Sequence, residues 1–191
     1  MPDRLGPKLA EPLFNRIALI GLGLIGSSLA RAARRTGLAG AIVAGDASDA
    51  VCARVRELGL VDHATTDLPE AVSDCDLVIL CVPVGAMADV GALIGPALKS
   101  GAIVSDVGSV KGSVVAALAP HLSPDIHLIP AHPVAGTEYS GPDAGFATLF
   151  HNRWCIVTPT EGADERAVDR VSAFWRAVGS NVEIMSPSHH D

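Results

Sequence analysis

A glycine-rich turn between an apolar strand and a helix constrains this chain more than any other feature. Gly21, Gly23 and Gly26 have the spacing G-x-G-x-x-G, directly after an apolar run at 15–20 and at the start of a helical pattern over 24–36. Such a turn alone is not specific, because many strand–helix connections need glycine for their own geometry. An acidic residue at the end of the next strand makes the pattern specific for a dinucleotide.

Each part of the turn has a physical task at a dinucleotide phosphate. We expect Gly21 to permit the tight turn, Gly23 to let the pyrophosphate approach the backbone, and Gly26 to let the helix pack closely on the strand. The N–H groups at the helix start, including those of Leu24 and Ile25, then meet the phosphates at the positive end of the helix dipole. The turn therefore predicts a dinucleotide site.

The choice of dinucleotide depends on Asp46, which lies 20 residues beyond Gly26 at the end of the second predicted strand. Its carboxylate can accept hydrogen bonds from both hydroxyls of the adenine ribose. Ala47 and Ser48 supply no cation for a 2′-phosphate, so a carboxylate here favours NAD over NADP. A P-loop is excluded, because neither Lys-Ser nor Lys-Thr follows the glycines.

The rest of the chain alternates apolar strands with helical patterns. After the first strand and helix, strands are predicted at 41–45, 62–65, 76–82, 102–105 and 126–130, and helices at 47–58, 68–72, 85–98 and 110–119. A long polar segment over 131–150 precedes strands at 153–158 and 181–185 and a helix at 163–178. Continuous apolar strands between helices predict an α/β fold: a doubly wound, Rossmann-type, mostly parallel sheet with helices on both faces.

Charge and cysteine usage exclude some partners. With a net charge of −7 and an isoelectric point near 5.4, the chain has no overall electrostatic attraction to nucleic acid or anionic membranes. The densest basic cluster, Arg31, Arg34 and Arg35, is expected on a solvated helix face. The four cysteines have no CxxC spacing, which is typical of reduced, buried thiols in a cytoplasmic protein. The N-terminus lacks a signal-peptide pattern, and the apolar stretch at 17–30 is too short to span a bilayer.

Three polar segments follow predicted strands and should meet at one edge of the sheet. Val82 and Pro83 end the fourth strand, where a crevice would hold the nicotinamide ribose. Ser109 lies in the segment 105–112 and His132 in the segment 131–138. Oxidation of a carbinol by hydride transfer needs an acceptor for the hydroxyl proton, and histidine suits that task near neutral pH.

Each of these residues also has an ordinary structural interpretation. His132 precedes a proline and could be a plain loop residue, and Ser109 could cap a helix that starts at Val110. Lys111 could be solvated, and Glu138 could be a surface acid. Their common place after successive strands favours a catalytic role for His132 and Ser109, and less so for Lys111.

Three segments together resemble the prephenate/arogenate (cyclohexadienyl) dehydrogenase family. They are Ile-Gly-Leu-Gly-Leu-Ile-Gly-Ser-Ser-Leu-Ala at 20–30, Ser-Asp-Val-Gly-Ser-Val-Lys at 105–111 and Ala-His-Pro-Val-Ala-Gly-Thr-Glu-Tyr-Ser-Gly at 131–141. The last segment, with its HPxxGTE pattern, is the most discriminating, and the resemblance covers essentially 15–191. It implies NAD-dependent oxidative decarboxylation of prephenate to 4-hydroxyphenylpyruvate, or of arogenate to tyrosine, in tyrosine biosynthesis.

The resemblance also assigns roles to individual residues. His132 matches the catalytic histidine that holds the substrate hydroxyl and accepts its proton. Ser109 matches a serine beside that histidine, the substrate hydroxyl and the nicotinamide, so it is expected in catalysis and in binding both cofactor and substrate. Further substrate-side residues are expected among Gly136, Thr137, Glu138 and His190.

Family members continue into a helical domain that dimerises and supplies an arginine for the substrate carboxylate. We therefore expect an N-terminal extension at 1–14, an NAD-binding domain at 15–188, and the start of a helical domain, otherwise absent from this chain, at 189–191. A homodimer is implied when that domain is present. The resemblance includes enzymes for both substrates, so prephenate and arogenate both stay open.

Two other functions compete with this interpretation. Another Rossmann dehydrogenase, of the β-hydroxyacid type, would share the nucleotide half but lack HPxxGTE. A non-catalytic NAD-binding module would have no need of His132 beside the nicotinamide. A metal site at His189, His190 and Asp191 is disfavoured, because no further ligand has suitable spacing.

Overall fold

The structure, a computed structural model, describes residues 8–191, and within them six strands form one fully parallel sheet. The strand order is β3-β2-β1-β4-β5-β6. The strands are β1 (Phe14–Ile20), β2 (Ala39–Gly45), β3 (His63–Thr65), β4 (Leu77–Leu80), β5 (Ile103–Asp106) and β6 (His127–Leu128). The doubly wound, Rossmann-type prediction is confirmed. The predicted extension at 1–14 lies partly outside the described residues.

Helices cover both faces of this sheet, because alternate residues of its strands are apolar on both sides. On β1, Ile17 and Leu19 pack into one core, while Ala18 and Ile20 pack into the other. The helices are α1 (Leu24–Thr36), α2 (Asp49–Glu57), α3 (Leu68–Val72), α4 (Met87–Ile94), α5 (Lys111–Leu118), α6 (Glu165–Ala177) and α7 (Pro187–His190). Burial on both faces explains the continuous apolar runs of the sequence.

A second sheet holds the residues that follow β6. Its strands are β7 (Ala131–Pro133), β8 (Trp154–Val157) and β9 (Asn181–Ile184), in the order β7-β8-β9. β7 runs antiparallel to β8, with His132 opposite Ile156. The prediction of an irregular segment from residue 131 is therefore wrong at its start, because Ala131–Pro133 finds a ladder partner in β8.

Some element ends also differ from the predicted ones. The helix predicted at 85–98 is an α-helix only over Met87–Ile94, with short 3₁₀ turns at Val84–Ala86 and Gly95–Ala97. Pro96 lacks the N–H that would continue the helix. The strand predicted at 126–130 keeps only two ladder residues, because the chain leaves the first sheet there for the second.

The segment 134–149 passes over α1. The backbone N–H of Phe146 donates to Ser28 Oγ at 3.1 Å, and Arg31 donates to the carbonyl of Pro142 at 3.2 Å. Arg54 and Asp143 form an exposed ion pair with a 2.6 Å N···O distance. Arg31 is thus partly buried against the segment and does not lie on a solvated face as predicted. No helix within 8–191 is both long enough and apolar enough to cross a bilayer.

Candidate active site

The three glycines of the turn are needed for different reasons. Gly21 has φ +91°, and a Cβ there would lie 2.9 Å from the carbonyl oxygen of Cys81. A Cβ at Gly26 would collide with the carbonyl oxygen of Gly21, so the helix can approach the turn only without a side chain. A Cβ at Gly23 would meet no heavy atom within 4 Å. Protein packing therefore explains Gly21 and Gly26, whereas Gly23 borders open space, as an approaching ligand would require.

The start of α1 differs from that of most helices of this chain. Its N-cap is Gly23, and no side chain in the described part of the chain caps it or places an acid in its first turn. By contrast, side chains cap α2, α3, α6 and α7: Ser48, Asp67, Asp164 and Ser186. The first N–H groups of α1 are thus left for an anion, which the helix dipole also favours.

Asp46 holds the glycine turn in place. Its Oδ2 accepts from the backbone N–H of Leu22 at 2.8 Å, and its Oδ1 accepts from that of Ser48 at 3.0 Å. An ionised carboxylate has about four acceptor positions, so both oxygens can still accept from ribose hydroxyls. The half-buried carboxylate therefore ties the turn to the end of β2 and remains able to bind a ribose.

One cleft joins the predicted cofactor residues. It has a volume of about 420 Å³, and its lining includes Gly21, Gly23, Asp46, Val82 and Pro83. The cleft lies at the carboxyl ends of β1, β2 and β4, where the strand order reverses between β1 and β4. Ligands of doubly wound sheets bind at this position.

A buried ion pair joins the two sheets beside His132. Lys111 Nζ lies 2.6 Å from Asp106 Oδ2, and both side chains are fully buried. Lys111 also donates to the carbonyl of Ala131 at 2.7 Å, while Asp106 Oδ1 accepts from the N–H of Ala131 at 3.2 Å. The pair thus holds both backbone groups of the residue before His132.

The interpretation of Lys111 as a solvated side chain is wrong, and Asp106 was not among the predicted site residues. The available signal was an aspartate directly after the apolar strand predicted at 102–105 and five residues before a lysine. Burial raises the pKa of Asp106 and lowers the pKa of Lys111, while their mutual contact opposes both shifts. Two backbone N–H donors, those of Gly108 and Ala131, further compensate the buried carboxylate.

His132 lies at the centre of β7, with its imidazole partly buried. Its Nδ1 is 2.9 Å from His190 Nε2. Burial is the largest cause that lowers the pKa of His132 below its usual value, and the neighbouring His190 and Lys111 add to the effect. The negative charge of Asp191 opposes it. The imidazole is therefore neutral, and able to act as a base, at pH values where an exposed histidine is partly protonated.

The last two residues of the chain connect His132 to α5. His190 Nδ1 is 2.8 Å from Asp191 Oδ1. The carboxylate of Asp191 also accepts from the backbone N–H groups of Lys111 at 2.8 Å and Gly112 at 2.7 Å. These contacts lower the pKa of Asp191 to about 2. The sequence predicts a boundary at 189–191 and a substrate-side role for His190, but not this connection, which depends on residues about 80 positions apart.

The remaining predicted residues are more exposed. Ser109 precedes α5, whose N-cap is Val110 without a side-chain hydrogen bond, so the capping interpretation of Ser109 is wrong. Gly136, Thr137 and Glu138 lie on the exposed start of the segment 134–149. Within residues 8–191, the carboxylate of Glu138 has no hydrogen bond or ion pair to His132. The structure therefore joins His132 and His190 directly, and leaves 136–138 at the surface.

Comparison with known proteins gives a consistent result. A family profile described as "Prephenate dehydrogenase, nucleotide-binding domain" matches residues 29–184. The cyclohexadienyl dehydrogenase of Zymomonas mobilis is 45% identical over 179 residues, which are 94% of this chain and 61% of the relative. The chain thus spans about three fifths of the length of that relative.

Solved structures show the same similarity. Prephenate dehydrogenase from A. aeolicus, in complex with hydroxyphenyl propionate and NAD+, superposes with a TM-score of 0.85 at 32% identity, over 92% of this chain and 61% of that one. Arogenate dehydrogenase from Synechocystis superposes with a TM-score of 0.85 at 31% identity and the same coverage.

Proposed function

Because this chain belongs to the prephenate dehydrogenase family, we propose that it binds NAD and takes part in the oxidative decarboxylation of prephenate, arogenate or both, in tyrosine biosynthesis. The products would be 4-hydroxyphenylpyruvate from prephenate and tyrosine from arogenate. His132 carries the catalytic part of this proposal, as a partly buried base that directly follows Ala131, whose backbone is held by a buried ion pair.

The cleft at the glycine turn supports NAD as the cofactor. Gly23 borders open space, the start of α1 has no side-chain cap, and Asp46 stands where the adenine ribose would lie. Leu24, Ile25 and Gly26 supply the first N–H groups of the helix for the pyrophosphate. A carboxylate at residue 46 would repel a 2′-phosphate, so NADP is disfavoured.

A residue of the second sheet would accept the proton of the substrate hydroxyl. A bound NAD would supply the acceptor for the hydride on the ring carbon that bears the hydroxyl, in a reaction that releases CO₂ and makes the ring aromatic. His132 holds the substrate hydroxyl and accepts its proton. Aromatisation and the loss of CO₂ make the reaction strongly favourable, so the protein mainly has to position the substrate, exclude water and accept the proton.

Other residues would bind the substrate or the nicotinamide. Ser109, exposed beside the start of α5, is proposed next to the substrate hydroxyl and the nicotinamide, with Val82 and Pro83 on the cofactor side. Gly136, Thr137 and Glu138 are proposed on the substrate side, where their exposure leaves them accessible.

The proposal is tested on the full-length protein, including the helical domain that the family resemblance implies, by NADH formation with prephenate and with arogenate in parallel, and by calorimetry with NAD. We expect NAD binding and turnover of at least one substrate. NAD binding without turnover of either substrate would contradict the catalytic proposal and would favour a non-catalytic NAD module.

The same proposal covers location and assembly. Within residues 8–191 the four cysteines are free thiols, which supports a reducing cytoplasm. The family resemblance implies a homodimer formed through a helical domain, and boundaries of 15–188 for the NAD-binding domain. Analytical ultracentrifugation tests the oligomeric state, and limited proteolysis tests the boundaries.

A further inference from the structure

Three side chains form one continuous line of hydrogen bonds from α5 to the proposed base. Asp191 accepts from two backbone N–H groups at the start of α5. Its Oδ1 also lies 2.8 Å from His190 Nδ1, and His190 Nε2 lies 2.9 Å from His132 Nδ1. The side chain of His190 is only 7% exposed, so its ring is fixed between the other two residues.

The protons in this line can have only one arrangement while both imidazoles are neutral. An ionised carboxylate only accepts hydrogen bonds, so His190 Nδ1 must carry the proton that faces Asp191. A neutral imidazole has a single N–H, so His190 Nε2 must accept. His132 Nδ1 must then be the donor, and His132 Nε2 is left unprotonated.

We propose that Asp191 is a positioning residue that acts through His190 to fix His132 in the tautomer whose Nε2 is the proton acceptor. This inference rests on the proposed function for the role of His132 as a base. It goes beyond that function by assigning the reactive nitrogen and the residues that select it. It also replaces the expected role of His190 as a substrate ligand, because both of its ring nitrogens already have partners.

The same line can stabilise the charged form of the base. When Nε2 takes the hydroxyl proton of the substrate, the ring of His132 becomes a cation and its Nδ1–H still donates to His190. The carboxylate of Asp191 then compensates the new charge through His190. No second proton transfer is needed, as with the carboxylate of other histidine–carboxylate sites.

The groups that face His132 from each packed element agree with this assignment. His190, at the end of α7, lowers the pKa of His132, and Asp191, the next residue, raises this pKa. Lys111 of α5 also lowers the pKa of His132, but its positive charge is compensated by Asp106 of β5. Cys155 of β8 is a neutral thiol, because burial raises its pKa. Asp191 is thus the anion that favours the protonated form of His132.

If Asp191 served only to cap α5, its contact with His190 would not be needed. To separate capping from tautomer selection, we choose His190→Phe, which removes the acceptor for His132 Nδ1 but leaves Asp191 on the α5 amides. Asp191→Asn removes the negative charge. Asp164→Asn is the matched control, because Asp164 caps α6 in the same way, through the N–H of Ala167 at 2.8 Å, away from His132.

The test is nitrogen-15 NMR of histidine-labelled chain across a pH titration, with His132→Asn to assign the signals. We expect neutral wild-type His132 to be protonated at Nδ1, the less common tautomer of free histidine. In His190→Phe and Asp191→Asn the Nε2-protonated form should increase, and in Asp191→Asn the pKa of His132 should fall further. Asp164→Asn should match the wild type.

An Nε2-protonated His132 in the wild type, or an unchanged tautomer in folded His190→Phe, would overturn the proposal. NADH formation adds an independent measurement. Blocking the base by the wrong tautomer should lower kcat of Asp191→Asn by about 10²–10⁴-fold, the range for a general base, with NAD affinity unchanged. Absence of turnover in the wild type would contradict the proposed function, whereas the tautomer measurement would still decide the role of Asp191.

Discussion

At the scale of single residues, the carboxylate of Asp46 has two tasks that one substitution removes together. In Asp46→Ala we expect NAD binding to weaken by roughly tenfold or more, since a hydrogen bond to a charged group contributes about 1.5–3 kcal/mol. The preference for NAD over NADP should narrow, because the repulsion of the 2′-phosphate is lost.

Calorimetry with both dinucleotides measures this change. Asp62→Ala is the matched control: Asp62 Oδ2 also accepts from a backbone N–H of β2, that of Ile42 at 2.7 Å, but Asp62 lies outside the cleft. Its dinucleotide affinities should equal those of the wild type. Tighter binding of NADP than NAD by the wild type would contradict the assignment of Asp46 to the ribose.

Gly23 and Gly26 should respond in opposite ways to added side chains. Gly23→Val projects into open space, so we expect the melting temperature to stay near that of the wild type while NAD binding falls sharply. Gly26→Ala forces its Cβ onto the carbonyl oxygen of Gly21, so the fold itself should lose stability. Thermal unfolding of both variants measures the change in stability, and calorimetry measures the change in NAD affinity. Normal NAD affinity in folded Gly23→Val would show that the turn does not bind NAD.

His132 should determine the acidic limb of the pH–rate profile. His132→Asn keeps hydrogen bonding but loses basicity, so kcat should fall by about 10²–10⁴-fold with NAD affinity nearly unchanged. Because burial lowers the pKa of His132, the acidic limb of kcat/KM in the wild type should lie below the usual histidine value of 6.5. The activity is lost as the pH falls through that pKa, and the variant should lack this limb. Near-normal kcat on both substrates would exclude His132 as the base.

At the scale of elements, the Asp106–Lys111 pair should be a main contact between β5, α5 and β7. Lys111→Met leaves Asp106 as a buried charge without its cation, which typically costs about 3–5 kcal/mol. Urea unfolding measures the free energy of unfolding. Lys99→Met is the control, because Lys99 forms an ion pair with Asp76 at a partly exposed site, where the loss of an ion pair costs little. If Lys111→Met lost less free energy of unfolding than Lys99→Met, the buried pair would not be a main contact between the sheets.

The elements differ in how well local sequence determines them. α1 has its predicted bounds, because the glycine turn starts it and Gly37, with φ +66°, ends it. β7 was missed, because three residues have no distinct local pattern and their partner strand begins about 20 residues later. A ladder between distant segments depends on tertiary packing, which periodicity does not report.

The predicted site shows the same division. That Gly21, Gly23 and Asp46 would line one cleft could be predicted, because the glycine turn and Asp46 are joined by one strand and one helix. The pair that holds Ala131 beside His132 could not, since Asp106 and Lys111 meet this residue only when β5 and β7 become neighbours. Asp191 likewise reaches α5 only through the packing of α7.

At the scale of the whole molecule, the two sheets hold different parts of the proposed reaction. The first sheet carries the cleft for the cofactor, and the second carries His132. The chain crosses from the first sheet to the second at Ile129 and Pro130. The backbone N–H of Ile129 donates to the carbonyl of Val104 in β5, whereas the carbonyl of Pro130 accepts from the backbone N–H of Thr158, which follows β8. The distance between the cleft and His132 is therefore set by buried backbone contacts.

The exposed start of the segment 134–149 gives this arrangement an evolutionary consequence. Residues 136–138 lie at the surface, whereas Ala131, on the other side of His132 and Pro133, is fixed by a buried ion pair. Gly136, Thr137 and Glu138 belong to the pattern that the family shares, but residues 139–140 directly after them are equally exposed. Natural selection can therefore alter 139–140 between lineages, by substitution or by small insertions, without disturbing His132. Under the proposed function, descendants of one ancestor diverge in this way in the acids they accept while they inherit the same base.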